Sequence, residues 1–191
     1  MKRSHYSMAY RLLHWSIAIA FLLLLGTIFL RLTWLNRESV ADIIQNYLLS
    51  IQVILTREQI VLLAKKIRKP MWDWHIYLGY VITGLYTIRM LLPFLGEMKF
   101  VNPFTSTFQI REKFQFWVYY IFYLCVAGSL ATGLLIEHGP SYMKKPLEEI
   151  HEYSLYYLLG FIVLHFVGVL YAEFTHDKGI VSKIVRGSID S

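Results

Sequence analysis

Four runs of about twenty predominantly apolar residues, roughly 10–33, 75–95, 114–136 and 151–174, constrain this chain more than any other feature of it. Lipid offers no water to backbone N–H and C=O groups, so a run of that length is stable as a helix that bonds to itself. The pattern predicts an all-α membrane protein, a four-transmembrane-helix bundle. Hydrophobic residues make up 56% of the 191, too many for an ordinary soluble domain, and a single membrane domain, 1–191, accounts for the sequence without a second unit.

The first run follows Lys2, Arg3 and Arg11 as a signal peptide would. It is longer than a signal h-region and no A-x-A-like site follows, so it reads as a retained span. Cys125 lies mid-span, which leaves no disulfide framework and no C-x-x-C-H for covalent haem. The net charge of +6 falls in small groups at span ends and is not interleaved with aromatics as a nucleic-acid site requires.

An even number of spans puts both termini on one side of the membrane. Lys and Arg divide almost evenly between the two sides, so the basic start decides, and it places both termini in the cytoplasm. The long connection 36–71 then lies outside. Within it Ser39-Val-Ala-Asp42 and Thr56-Arg-Glu-Gln59 resemble helix starts, which predicts two short amphipathic helices on the outer surface, as a lid or as a docking face.

Histidine is costly inside a membrane, yet four of the seven lie in or at the ends of spans: His14, His75, His151 and His165. His151 and His165 are fourteen residues apart, which on one helix puts them on nearly one face and about 21 Å apart. With the proposed orientation, His14 and His165 match in depth near the inner side, and His75 and His151 match at the outer end. Two level pairs of imidazoles are what two b haems require, one nitrogen from each side of each porphyrin. Zinc instead needs three or four ligands at one point. Gly79, Gly128, Gly133 and Gly160 offer room for a flat macrocycle, although small residues also serve close helix packing. His5, His138 and His176 lie in tails or at span ends and take no ligand role.

The pattern Arg11-Leu-Leu-His14-Trp15, His75-x-x-x-Gly79, His151-Glu152 with His165, and His176-Asp-Lys-Gly179…Gly187 resembles the bacterial cytochrome b561 family, which includes the cytochrome b subunits of nickel–iron hydrogenases. The resemblance covers the chain apart from the insertion. It implies a four-helix bundle with two b haems, ligated by His14 with His165 and by His75 with His151. It further implies electron transfer between the quinone pool and a second party, either a periplasmic or membrane redox protein or, as in superoxide-oxidising members, superoxide. Many stand-alone members have a short first outer loop, so the long one here departs from the pattern.

Asp73, Glu148, Glu149 and Glu152 fall near the outer haem, and Arg11, Glu173 and His176 near the inner one, where quinone protons would need titratable groups. Lys65, Lys66, Arg68, Lys69, Lys144 and Lys145 fall outside and could steer an anion or an acidic protein. A transporter or a haem-free scaffold is the reading from another class, with the polar residues as helix glue.

Overall fold

The computed structural model describes residues 7–95, 109–175 and 178–187. Among them every regular element is helical: α1 (Met8–Leu32), α2 (Arg37–Ser50), α3 (Arg57–Leu91) ending in a 3-10 turn (Leu92–Leu95), α4 (Ile110–His138), α5 (Ser141–Glu152), α6 (Ser154–Thr175) and α7 (Ile180–Arg186). Four stretches are long and apolar enough to cross a membrane: Met8–Leu32, Arg57–Leu95, Ile110–His138 and Ser141–Thr175. The class is therefore all-α, consistent with a four-helix membrane bundle. Leu22, Leu23, Leu124, Val163, Phe166 and Val167 lie exposed on these helices, an apolar surface that suits lipid.

The chain divides into two compact units, Ser16–Tyr86 on one side and Met1–Trp15 with Thr87–Ser191 on the other. Both divisions fall inside continuous helices, α1 and α3, and no linker marks either one.

In the Ser16–Tyr86 unit the insertion differs from the sequence expectation. The first helix starts at Arg37, because the Asn36 side chain accepts the Glu38 N–H at 3.0 Å; Ser39 lies inside the first turn. The second start is where the motif puts it: Thr56 and Gln59 exchange side-chain to backbone hydrogen bonds at 3.0 and 3.3 Å, a capping box. It does not open a separate short helix. α3 runs 35 residues from Arg57 through Pro70 and into the apolar span. Proline removes one backbone donor and disfavours helix at the residue before it, yet the chain stays helical across it.

Val40, Ala41, Ile60 and Ala64 form a buried cluster between α2 and the first turns of α3, with Leu35, Ile44, Leu48, Leu55 and Val61 packed on it. Arg57 reaches across to Glu38, Asp42 and Gln45, one stripe of α2, at 2.7–2.9 Å. α2 closes in a Schellman turn, with Val53 N–H bonded to Leu48 O at 2.9 Å and Gln52 N–H to Leu49 O at 3.1 Å. Gln52 holds the left-handed position, φ 60°, that usually takes glycine.

In the other unit α4 packs against α5 and α6, and α7 packs on α6. α4 ends at Gly139, where a Cβ would collide with the Leu135 carbonyl oxygen. The fourth span is two helices. Tyr153 separates α5 from α6, with i to i+3 bonds from Tyr153 N–H to Ile150 O and from Tyr156 N–H to Tyr153 O. His151 is thus on α5 and His165 on α6, and the fourteen-residue rise is not that of a single helix. His5, His176 and most of the 96–113 loop lie outside the described residues.

Candidate functional site

Each candidate histidine except His151 is stacked by an aromatic three or four residues earlier, because a helical side chain leans toward the N-terminus of its own helix. Tyr10 stacks on His14 at 6.4 Å between ring centres, Trp72 on His75 at 4.8 Å, and Phe161 on His165 at 5.7 Å. These rings fix imidazole orientation before anything is bound.

The structure brings His14 and His165 together, with ring centres 6.1 Å apart and planes inclined by 43°. Two imidazoles on opposite sides of one metal, with bonds of about 2 Å and ring centres about 1.1 Å beyond each nitrogen, stand about 6 Å apart. The observed separation therefore fits a shared iron and is too wide for a direct hydrogen bond between facing nitrogens. His165 Nδ1 is buried without a hydrogen-bond partner. Such an atom costs about 1–3 kcal/mol to desolvate.

Around this pair the chain's two ends are clasped. Arg11 donates to the Val185 carbonyl at 3.2 Å and Trp15 Nε1 to the Ile184 carbonyl at 3.3 Å, which satisfies the orphan acceptors at the end of α7. The Glu173 carboxylate accepts from Gly179 and Val181 N–H at the start of α7, at 2.8 and 3.2 Å. Gly187, at φ 95°, closes the helix where a Cβ would press on the Arg11 guanidinium at 3.2 Å. Arg11, Trp15 and Gly187, which enter the sequence pattern as separate signatures, meet at the end of α7, and Gly179 opens the same helix. Glu173 is a cap for α7.

His75 and His151 lie in different units, and each has its own neighbours. His75 is the buried polar side chain of the Ser16–Tyr86 unit, 9% exposed, with Thr27 Oγ1 at 2.8 Å from its Nδ1. The Thr27 hydroxyl donates its only proton to the Leu24 carbonyl at 2.6 Å. It can then only accept from the ring, so the network assigns the proton to Nδ1 and the lone pair to Nε2.

His151 repeats the device. Thr132 Oγ1 lies 3.0 Å from His151 Nδ1 and 3.0 Å from the Gly128 and Ser129 carbonyls, to which its proton goes. Gly133, the next residue of α4, faces the imidazole so closely that a Cβ would meet His151 Cε1 at 3.1 Å. At Gly79, Gly128 and Gly160, in contrast, a Cβ would meet nothing within 4 Å, so no packed neighbour demands glycine there.

Thr27 and Thr132 are functional candidates that sequence reasoning missed. A threonine in an apolar helix ordinarily bonds its own preceding turn, and these two do that as well. The remaining sequence candidates are dispersed. Lys69 pairs with Asp73 at 2.8 Å; Glu148, Glu149, Glu152, Lys65, Lys66, Lys144 and Lys145 are exposed, and Arg68 is half-buried.

Among the described residues no three His, Cys, Asp or Glu side chains gather to hold a metal ion. The donors are imidazoles in ones and twos, with a hydroxyl beside Nδ1 at His75 and His151, which suits a group that brings its own equatorial ligands. The donor set fits haem.

The family model described as prokaryotic cytochrome b561 matches residues 5–187. The chain belongs to the prokaryotic cytochrome b561 family. As a member of that family it is a multi-pass membrane protein that binds b-type haem and transfers electrons to or from a redox partner. A search of curated proteins found no match, and a search of solved structures found none.

Proposed function

We propose that this cytochrome b561 family member holds two b haems, on His14 with His165 and on His75 with His151. It would move electrons across a bacterial inner membrane between the quinone pool and a second redox protein. The observation that carries the reading is the paired threonine device. Thr27 and Thr132 each stand within hydrogen-bond distance of an imidazole Nδ1, which supports a tautomer whose Nε2 would face the iron. The 6.1 Å separation of His14 and His165 supports their pairing.

Haem b would supply a one-electron iron couple, with His14, His165, His75 and His151 as the residues that would hold it. The protein's part is to hold the rings, fix their tautomers and exclude water. Stacked aromatics and threonine hydroxyls do the first two. Apolar helices set in lipid would do the third. Both termini are assigned to the cytoplasm and the α2 hairpin to the outside, so a cysteine at Ser50 should react with an impermeant thiol reagent in intact cells.

The functional test is anaerobic. Protein reduced with dithionite and freed of excess reductant is mixed with a short-chain ubiquinone or with menadione, and the haem α-band is followed. Reoxidation fast enough for turnover is the expected result. Failure of both quinones to oxidise either haem would remove quinone from the account and leave the haem ligation untouched.

A further inference from the structure

Among the described residues three buried side-chain nitrogens have no hydrogen-bond partner: His165 Nδ1, Arg11 Nε and Arg68 Nε. The first two belong to the His14 region already described. Arg68 does not. It lies on α3 seven residues before His75, about 10 Å along the axis, and Arg68, Trp72 and His75 follow one stripe at i, i+4 and i+7.

The facing residues of α1 repeat the order. Thr27 bonds His75, and Arg31, one turn on, sets its guanidinium carbon 5.1 Å from the centre of the Trp72 ring. Trp72 is stacked on His75 with planes only 4° apart. The two helices therefore form a ladder, with His75 and Thr27 as one rung, Trp72 and Arg31 as the next, and Arg68 beyond.

Arg68 feels the charges of Arg31 and Arg37, so three cations gather here from α1, α2 and α3. Glu38 pairs with Arg37 of this group as well as with Arg57, whereas Asp42 bonds Arg57 and Asp73 bonds Lys69. The buried, unpartnered Nε of Arg68, with the Arg31 charge close by, suits an anion. A haem held by His75 would bring two carboxylates at its rim.

We propose that Arg68, with Arg31 beside it, binds a propionate of the haem held by His75, and that Trp72 is the spacer that sets imidazole and guanidinium one rung apart. The assignment rests on His75 as an axial ligand. A cation on a propionate favours the reduced haem, whose iron carries one positive charge fewer, so removing it lowers that haem's potential alone.

The test uses holoprotein carrying R68Q, R31Q or both, with R68K as the charge-conserving variant and H75A to identify the haem. Haem per chain is measured by pyridine haemochrome and the midpoints by potentiometric titration. R68Q should lower one midpoint by the equivalent of a three- to tenfold change in the redox equilibrium, about 30–60 mV at 59 mV per decade. R68K should restore it, and the midpoint that moves should belong to the haem missing from H75A. If H75A loses one haem while R31Q/R68Q leaves both midpoints and the haem content unchanged, the arginines do not hold a propionate. They would then serve an anionic lipid headgroup or the fold alone. If H75A keeps both haems, the ligand reading itself fails and this assignment falls with it.

Discussion

Replacing Thr27 with Val removes one oxygen and keeps the shape, so its effect isolates the hydrogen bond to His75. The bond is 2.8 Å long and the imidazole 9% exposed, so water cannot take the hydroxyl's place without rearrangement. A net hydrogen bond contributes about 0.5–1.5 kcal/mol, and an orphaned buried donor costs about 1–3 kcal/mol. Those figures agree with the 10–100-fold loss of affinity, about 1.4–2.7 kcal/mol, typical when a ligand's outer partner is removed. The redox consequence has a definite sign. Donation of Nδ1–H to an oxygen makes Nε2 more basic and favours ferric iron, so T27V should raise the midpoint of the haem on His75. If about 0.5–1 kcal/mol of the interaction differs between oxidation states, the rise is about 20–40 mV. Potentiometric titration of T27V and T27S measures it, with T27S expected near the wild type. A T27V protein with unchanged midpoints and unchanged haem retention would refute the claim that this hydroxyl sets the ligand.

Gly133→Val places a branched side chain where a single Cβ already stands 3.1 Å from His151 Cε1. Pyridine haemochrome should show that variant losing one haem while its other haem keeps its midpoint. The α2 hairpin should loosen in acid. Hydrogen bonds first from Arg37 and then from Arg57 hold the Glu38 carboxyl below its ordinary value. A depressed carboxyl contributes stability above its unfolded pKa and loses it as pH falls through the folded one, so protease cleavage near residues 51–56 should rise below about pH 4. R57Q should raise cleavage at neutral pH and flatten the acid dependence, and identical profiles would show that the exposed network holds nothing.

The four spans are legible because about twenty apolar residues in water-free surroundings leave one backbone solution. The histidines stand out for the same reason, as ionisable groups where charge is expensive. Local helix starts are legible where both partners lie within four residues, as at Thr56 and Gln59, but Asn36 is passed over in favour of Ser39. The length of α3 is not legible, since Pro70 reads locally as a boundary, nor is the turn at Tyr153, which no glycine or proline marks. Least visible are the contacts between distant segments. Thr27 lies 48 residues from His75, and Arg11 lies 174 from Val185. No periodicity within either segment points to the other.

The central claim is the number and pairing of haem ligands, and haem per chain in single and double His→Ala variants, measured by pyridine haemochrome, tests it most directly. The account predicts two haems in the wild type and one in each of H14A, H75A, H151A and H165A. It predicts one in H14A/H165A, where both losses fall on the same haem, and none in H14A/H75A, where they fall on different ones. A folded H14A/H165A protein without haem, or an H14A/H75A protein that still carries one, would contradict it.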